Sequence, residues 1–154
     1  MSMHKMTPAS GEAWIGYSLK ITQHRLRQRL EAELAGTGVS AAQNAVLLAI
    51  GSNPRISNAS LARVAFVTPQ SMQGMLVTLE RDGFILRTPH PDHGRIIMTE
   101  LTVKGKAAAE AGAIASEAVE RLMLAGLTND EAKLLGELLQ RCAEALEGSR
   151  LPLR

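Results

Sequence analysis

Gln70, Ser71, Gln73, Gly74 and Thr78 crowd into one short stretch and offer amides and hydroxyls but no charge. Such groups can read a partner by hydrogen bonds. A Gln side chain donates and accepts at once and so can pair bidentately with an adenine edge, while a glycine lets a surface approach closely. An ordinary solvated helix face would be rich in Lys and Glu, and this row has neither. Farther along, Arg87, Arg95 and Lys104 supply positive charge of the kind that meets phosphates or a narrow minor groove.

The elements that hold these residues can be read from the same stretch. Thr68 is placed to cap a helix with Pro69 at its first position, where a missing N–H costs nothing. Met72, Met75, Leu76 and Leu79 then fall at offsets 0, 3, 4 and 7, an apolar stripe with the amide and hydroxyl row opposite. Gly83 ends that helix. Upstream, Ser57 caps a short helix carrying Leu61 and Val64, followed by the turn Ala65-Phe66-Val67. Downstream, residues 84–88 and 95–101 read as strands joined through Pro89, His90, Pro91, Asp92, His93 and Gly94, with Arg95 just past the tip. Helix, turn, helix and a basic-tipped hairpin predict a winged helix-turn-helix, with 68–82 as the recognition helix and 84–101 as the wing.

The run from Thr68 through Leu79-Glu80 to Gly83-Phe84-Ile85, then Arg87, Gly94-Arg95 and Leu101-Thr102-Val103-Lys104-Gly105, resembles the MarR family of bacterial transcriptional regulators. The resemblance extends over most of the chain, because the flanking helices also have the expected lengths and order. It implies a homodimer joined through its N- and C-terminal helices and bound to double-stranded DNA. Thr68, Gln70, Ser71, Gln73, Gly74, Thr78, Arg87, His93, Arg95 and Lys104 are the expected DNA contacts. It also implies a small aromatic acid as effector, bound where the dimer helices meet the winged lobe. Two departures stand out. His93 occupies the Asp position of the family's Asp-x-Arg wing tip, with Asp92 one place earlier, and Gly74 stands where many members carry an Arg.

Length and composition set the frame. The 154 residues, 45% of them apolar, predict a single globular domain over 1–154. Net charge is only +2, yet it is unevenly placed. Residues 55–106 carry seven basic and four acidic groups, and residues 107–147 carry three basic and eight acidic. That separation suits one region meeting phosphates and another kept off them. The longest aliphatic run, Ala45 to Ile50, is far short of a membrane span, and the N-terminus lacks the apolar core of a signal peptide. Cys142 is the single cysteine. The cytoplasm is the expected compartment.

Along the chain, a long helix is expected from about Ser10 to about Ala35, with Trp14, Leu19, Ile21, Leu26, Leu30 and Leu34 on its apolar surface. Roughly 39 Å long, it is too long to be covered by one small lobe. Arg25, Arg27 and Arg29 spread around it and read as solvated charges beside Glu31 and Glu33. Ser40 and Gln43 form a capping box, followed by Val46, Leu47 and Ile50 on a core face and by Gly51 as a stop. Ile56 is expected at the strand edge of the wing. Thr102 caps a helix from Val103 to about Ala125, with Ala107, Ala111, Ile114, Ala118 and Leu122 on one face. Thr128 and Glu131 form a second capping box, and Leu135, Leu138, Leu139, Cys142 and Leu146 follow at helical spacing. Residues 10–35 and 103–147 thus bracket a winged lobe at 40–102 and carry more apolar surface than that lobe can cover.

Other chemistries fit less well. His90 and His93 are the only clustered histidines, and without further ligands no metal site is expected. Cys142 lies on an apolar stripe and reads as inert filler. No Gly-x-Ser-x-Gly, Walker-type loop or paired His motif points to an enzyme, and no cofactor is expected. Trp14 and Tyr17 suggest a ligand cleft, with Arg25 or Arg63 as carboxylate partner; the plainer reading packs both aromatics in a dimer interface. The alternative to a DNA reader is a winged-helix module that pairs with proteins.

Overall fold

The computed structural model describes residues 15–148 and orders them as α1 (Ile15–Glu33), α2 (Ala41–Ser52), α3 (Asn58–Val64), α4 (Pro69–Arg81), β1 (Ile85–Pro89), β2 (Ile97–Leu101), α5 (Val103–Leu124) and α6 (Asn129–Gly148). This is a mainly helical chain with one antiparallel hairpin, the winged helix-turn-helix that the pattern predicts. By its contacts the chain divides into two compact units, one ending at Val119 and one beginning at Glu120.

The first unit is built on Val46, Leu47 and Ile50 of α2, Leu61 of α3, and Met72 and Leu79 of α4, each at most 1% exposed. These are positions that helical periodicity selects, and each buried side chain contributes about 1.5–3 kcal/mol. Leu34, Phe84 and Ile85 belong to the same cluster. The caps fix where the helices begin. Ser40 Oγ accepts from Gln43 N (3.2 Å) while Ser40 N donates to Gln43 Oε1 (2.9 Å). Ser57 Oγ and Thr68 Oγ1 each accept from the backbone three residues on, at 3.1 Å.

The Leu-Thr-x-x-Gly segment has a mechanical explanation. Thr102 Oγ1 donates to the Gly83 carbonyl (2.6 Å), lies 3.1 Å from the Phe84 carbonyl and accepts from Gly105 N (3.0 Å). One hydroxyl therefore caps α5 and ties it to the turn between α4 and β1. A β-carbon at residue 105 would land on the Phe84 carbonyl oxygen, so only glycine permits this approach. Gly112 plays the same part against Asn44, whose buried amide donates to Ser116 Oγ (3.1 Å).

In the second unit, Thr128 and Glu131 form the expected capping box: Thr128 N donates to Glu131 Oε2 (2.8 Å) and Glu131 N to Thr128 Oγ1 (3.2 Å). Among the described residues of α6 none is buried, and Leu135, Leu138, Leu139 and Leu146 are all exposed. Cys142 is exposed with them, a correction to its reading as packed filler: the stripe it belongs to is uncovered within the chain.

Other details also differ from the sequence reading. The start of the first helix near Ser10, and Trp14 with it, lies outside the described residues; α1 ends at Glu33, short of Ala35, and Gly36 and Gly38 turn the chain with positive φ. Gly51 does not stop α2, which runs to Ser52; the residue instead leaves room for Leu101 Cδ1, 3.2 Å from where its β-carbon would be. Ile56 joins no strand, because the loop closes on itself through Ile56 N to Asn53 O (3.0 Å). On α5 the face that meets the core is Gly105, Ala108, Ala109, Gly112, Ala115 and Val119. The face carrying Ile114 and Leu122 is exposed.

Candidate nucleic-acid interface

α4 presents its polar row outward. Thr68, Gln70, Ser71, Gln73 and Gly74 are exposed, and Thr78 is half-buried with its hydroxyl donating to the Gly74 carbonyl (3.1 Å). Thr68 spends its hydroxyl on the cap, accepting from Ser71 N and donating to Ser71 Oγ (3.0 Å), which leaves the Ser71 proton free for an outside acceptor. Gly74 has open space where a β-carbon would stand, so the fold itself does not demand glycine there. Asn58 Nδ2 holds the Pro69 carbonyl (3.4 Å) and links α3 to the first turn of α4.

The wing pairs Ile85 with Leu101 through to Pro89 with Ile97. Its second strand starts two residues later than the pattern suggests, so Arg95 and Ile96 belong to the tip. The tip is closed by His90 N to Ile96 O and Ile96 N to His93 O, both 2.8 Å. His93 lies beside His90, ring centroids 5.3 Å apart, and Asp92 N donates to His90 Nδ1 (3.1 Å). Arg95 is exposed and makes no ion pair among the described residues.

Two of the predicted cations are engaged inside the lobe. Arg87, half-buried, donates from Nε to Glu80 Oε2 (3.0 Å), and its backbone N reaches Glu80 Oε1 (3.3 Å). This clamp joins the last turn of α4 to β1. Lys104 Nζ donates to the Asp82 carbonyl (2.7 Å) at the C-terminal end of α4 and lies 4.3 Å from the centroid of the Phe84 ring. There it complements the negative end of the helix dipole. Beside it, the Arg81 side chain hydrogen-bonds Asp82 (2.9 Å) and holds that carboxyl below the usual carboxylate range. Glu80 was missed as a partner in the sequence, although a Glu in the last turn of a helix, seven residues across a glycine turn from an Arg, is a spacing a helix-to-strand turn can close.

The predicted ligand residues that the structure describes, Tyr17, Arg25 and Arg63, are not joined to one another. Tyr17 and Arg25 are exposed on α1, and Arg63 Nη2 bonds Ser60 Oγ (3.1 Å) on α3. Among the described residues no hydrogen bond, ion pair or ring contact links them. Arg27 and Arg29 pair with Glu31 (3.9 Å) and Glu33 (2.9 Å), as the plainer reading expects. A cavity of about 270 Å³ opens elsewhere, lined by Ile50, Gly51, Pro54, Glu100, Leu101 and Lys106.

Comparison with known proteins places this geometry. The MarR family model matches residues 39–97. The HTH-type transcriptional repressor Rv2887 of Mycobacterium tuberculosis is 31% identical over 130 residues, spanning 84% of this chain and 94% of the relative. The solved complex of that protein with salicylic acid has a TM-score of 0.70 at 30% identity and covers 86% of this chain and 98% of its own. Its complex with DNA has a TM-score of 0.68 at 29% identity, covering 90% and 100%. A mutant MarR from E. coli complexed with operator DNA reaches a TM-score of 0.75 at 26% identity, covering 83% and 92%.

Proposed function

This chain belongs to the MarR family of DNA-binding transcriptional regulators, and we propose that it works as a homodimeric repressor of a palindromic operator, released by a small aromatic acid. Members of this family are regulators, not enzymes. The observation that carries the proposal is the exposed, uncharged row of Gln70, Ser71, Gln73 and Gly74 on a helix whose other side is core. In this reading α4 enters the major groove and Arg95 reaches the adjacent minor groove. Arg87 and Lys104 keep α4 and the wing in register, and each retains donors for a phosphate.

The exposed stripe of α6 and the apolar faces of α1 and α5 support the dimer, since all three leave large apolar side chains uncovered. The complex of Rv2887 with salicylic acid supports an aromatic acid as effector. Trp14 and Tyr17, with Arg25 or Arg63 for the carboxylate, are the proposed contacts. A repressor of this kind acts in the cytoplasm, where its operator lies.

Binding across a salt series tests the reading. Gln73→Ala should cost about 1–3 kcal/mol per half-site on the preferred duplex and relax preference at one position in each. Arg95→Ala should weaken binding to all sequences and lower the salt slope by about one unit per subunit. If Arg95→Ala stays within about twofold of wild type on operator and random duplex alike, too little for a lost phosphate contact, the wing is not a DNA contact. Salicylate should weaken DNA binding, and DNA should weaken salicylate binding by the same factor.

A further inference from the structure

Two helices of the lobe end with the same hydrogen-bond pattern. At the end of α4, Phe84 N donates to Leu79 O (2.9 Å) and Gly83 N to Glu80 O (3.0 Å), with Gly83 at φ +80°. At the end of α3, Val67 N donates to Ala62 O (3.0 Å) and Phe66 N to Arg63 O (3.2 Å). The residue in the left-handed position there is Phe66, at φ +54°, the one non-glycine with positive φ among the described residues. A β-carbon is crowded in that region, which is why Gly, and sometimes Asn, closes this motif. Phe66 is also 94% exposed, so burial within the chain returns nothing for it. A residue that strains the backbone and packs against nothing points to a partner that covers it.

The surroundings indicate which partner. Phe66 stands two residues before Thr68, the cap of α4, and exposed Arg63, Thr68, Gln70 and Ser71 lie around it in sequence. No Asp or Glu occurs from residue 34 through residue 79. A carboxylate-free turn continuous with the outward row of α4 suits a polyanion. We propose that Phe66 is a DNA contact, an apolar anchor that packs on the carbon surface of the duplex, either a thymine methyl or deoxyribose methylenes, as α4 enters the groove. This rests on the DNA-binding reading above and adds a contact that carries no charge.

The probe is the duplex that the wild-type protein selects from a randomised library. Phe66→Asn and Phe66→Gly keep the turn and relieve it, so both should melt at higher temperature than wild type. Both should nevertheless bind that duplex about tenfold more weakly per half-site, as expected for losing roughly 50 Å² of apolar contact. Their salt slopes should match wild type, because no phosphate contact is lost. Replacing thymines by uracils one at a time separates the two carbon sources. A position where uracil weakens wild type but not Phe66→Gly identifies the methyl; the absence of any such position identifies the sugar. Affinity within twofold of wild type for both variants overturns the proposal. So does a melting temperature at or below wild type for both, or weakened self-association. A wild-type protein that selects no duplex fails the DNA-binding reading itself and takes this contact with it.

Discussion

α4 and α6 carry the same apolar spacing and treat it in opposite ways. Met72, Met75, Leu76 and Leu79 stand at offsets 0, 3, 4 and 7, and so do Leu135, Leu138, Leu139 and Cys142. In α4 three of the four are buried within the chain, and Met75 packs against the same core. In α6 none is buried, with Leu138 at 43% and Leu139 at 39% exposure. Periodicity reports which face of a helix is apolar; it does not report what that face meets. A stripe covered in its own chain defines a folding core, and an uncovered one of this size calls for another surface.

The sharpest way to break that comparison is a charge in the α6 stripe. If a second copy covers the stripe, Leu138→Asp or Leu139→Asp enters the interface twice and should cost about 4 kcal/mol or more in association, from lost apolar burial and a desolvated carboxylate. Sedimentation should show wild type as a dimer at micromolar concentration and the variant as monomer or precipitate. A variant that sediments like wild type would show that the stripe is not the interface. Gly105→Ala should have a smaller effect and of another kind. Its β-carbon meets the Phe84 carbonyl, a backbone group with little freedom to move, and overpacking of this sort costs about 1–3 kcal/mol. Melting temperature should fall while the subunit count stays that of wild type below the transition.

The same contrast explains what could be read in advance. The lobe was legible because its signals are local: Ser40, Ser57 and Thr68 as caps, Gly83 as a terminator, and an apolar period that matches one helix at a time. The α5 face was not, because its inward side is made of Gly105, Ala108, Gly112 and Ala115, small residues that leave no hydrophobic stripe to notice. The two glycines answer to the carbonyl of Phe84 and the amide of Asn44, groups distant in sequence. For the same reason Arg87 and Lys104 read as free cations. Each is half of a pair closed by the fold, Arg87 with Glu80 seven residues earlier and Lys104 with the Asp82 carbonyl, a backbone group with no sequence mark of its own.

Gly74 marks where the fold's requirements end and those of a partner begin. Open space surrounds its would-be β-carbon, in contrast with Gly105 and Gly112, so Gly74→Ala should stabilise the protein by about 0.5–1 kcal/mol through helix propensity. A rise in melting temperature with a fall in duplex affinity would assign the glycine to close approach by DNA. A fall in melting temperature would mean that α4 is more constrained on its outer face than its exposure indicates.

The smallest expected effect separates the two regions by pH. Both use a capping box, but the lobe closes its box with Gln43, a neutral acceptor at 2.9 Å, and α6 closes its own with the Glu131 carboxylate at 2.8 Å. The Thr128 backbone N–H, and after it the Thr128 hydroxyl, hold the Glu131 pKa below its ordinary value. A carboxyl whose pKa is lower in the folded chain binds protons more readily when unfolded. Its contribution is therefore complete above the unfolded carboxylate range and disappears as pH falls through the folded pKa. Acid should loosen the start of α6 and leave α2 unaffected. Glu131→Gln keeps an acceptor for Thr128 N and removes the titration, so amide exchange at the first turn of α6 should become less sensitive to acid than in wild type, once corrected for intrinsic exchange. The first turn of α2 should show the same protection in both proteins. If the two proteins respond identically at α6 across the carboxylate range, the Glu131 box does not hold that helix end in solution.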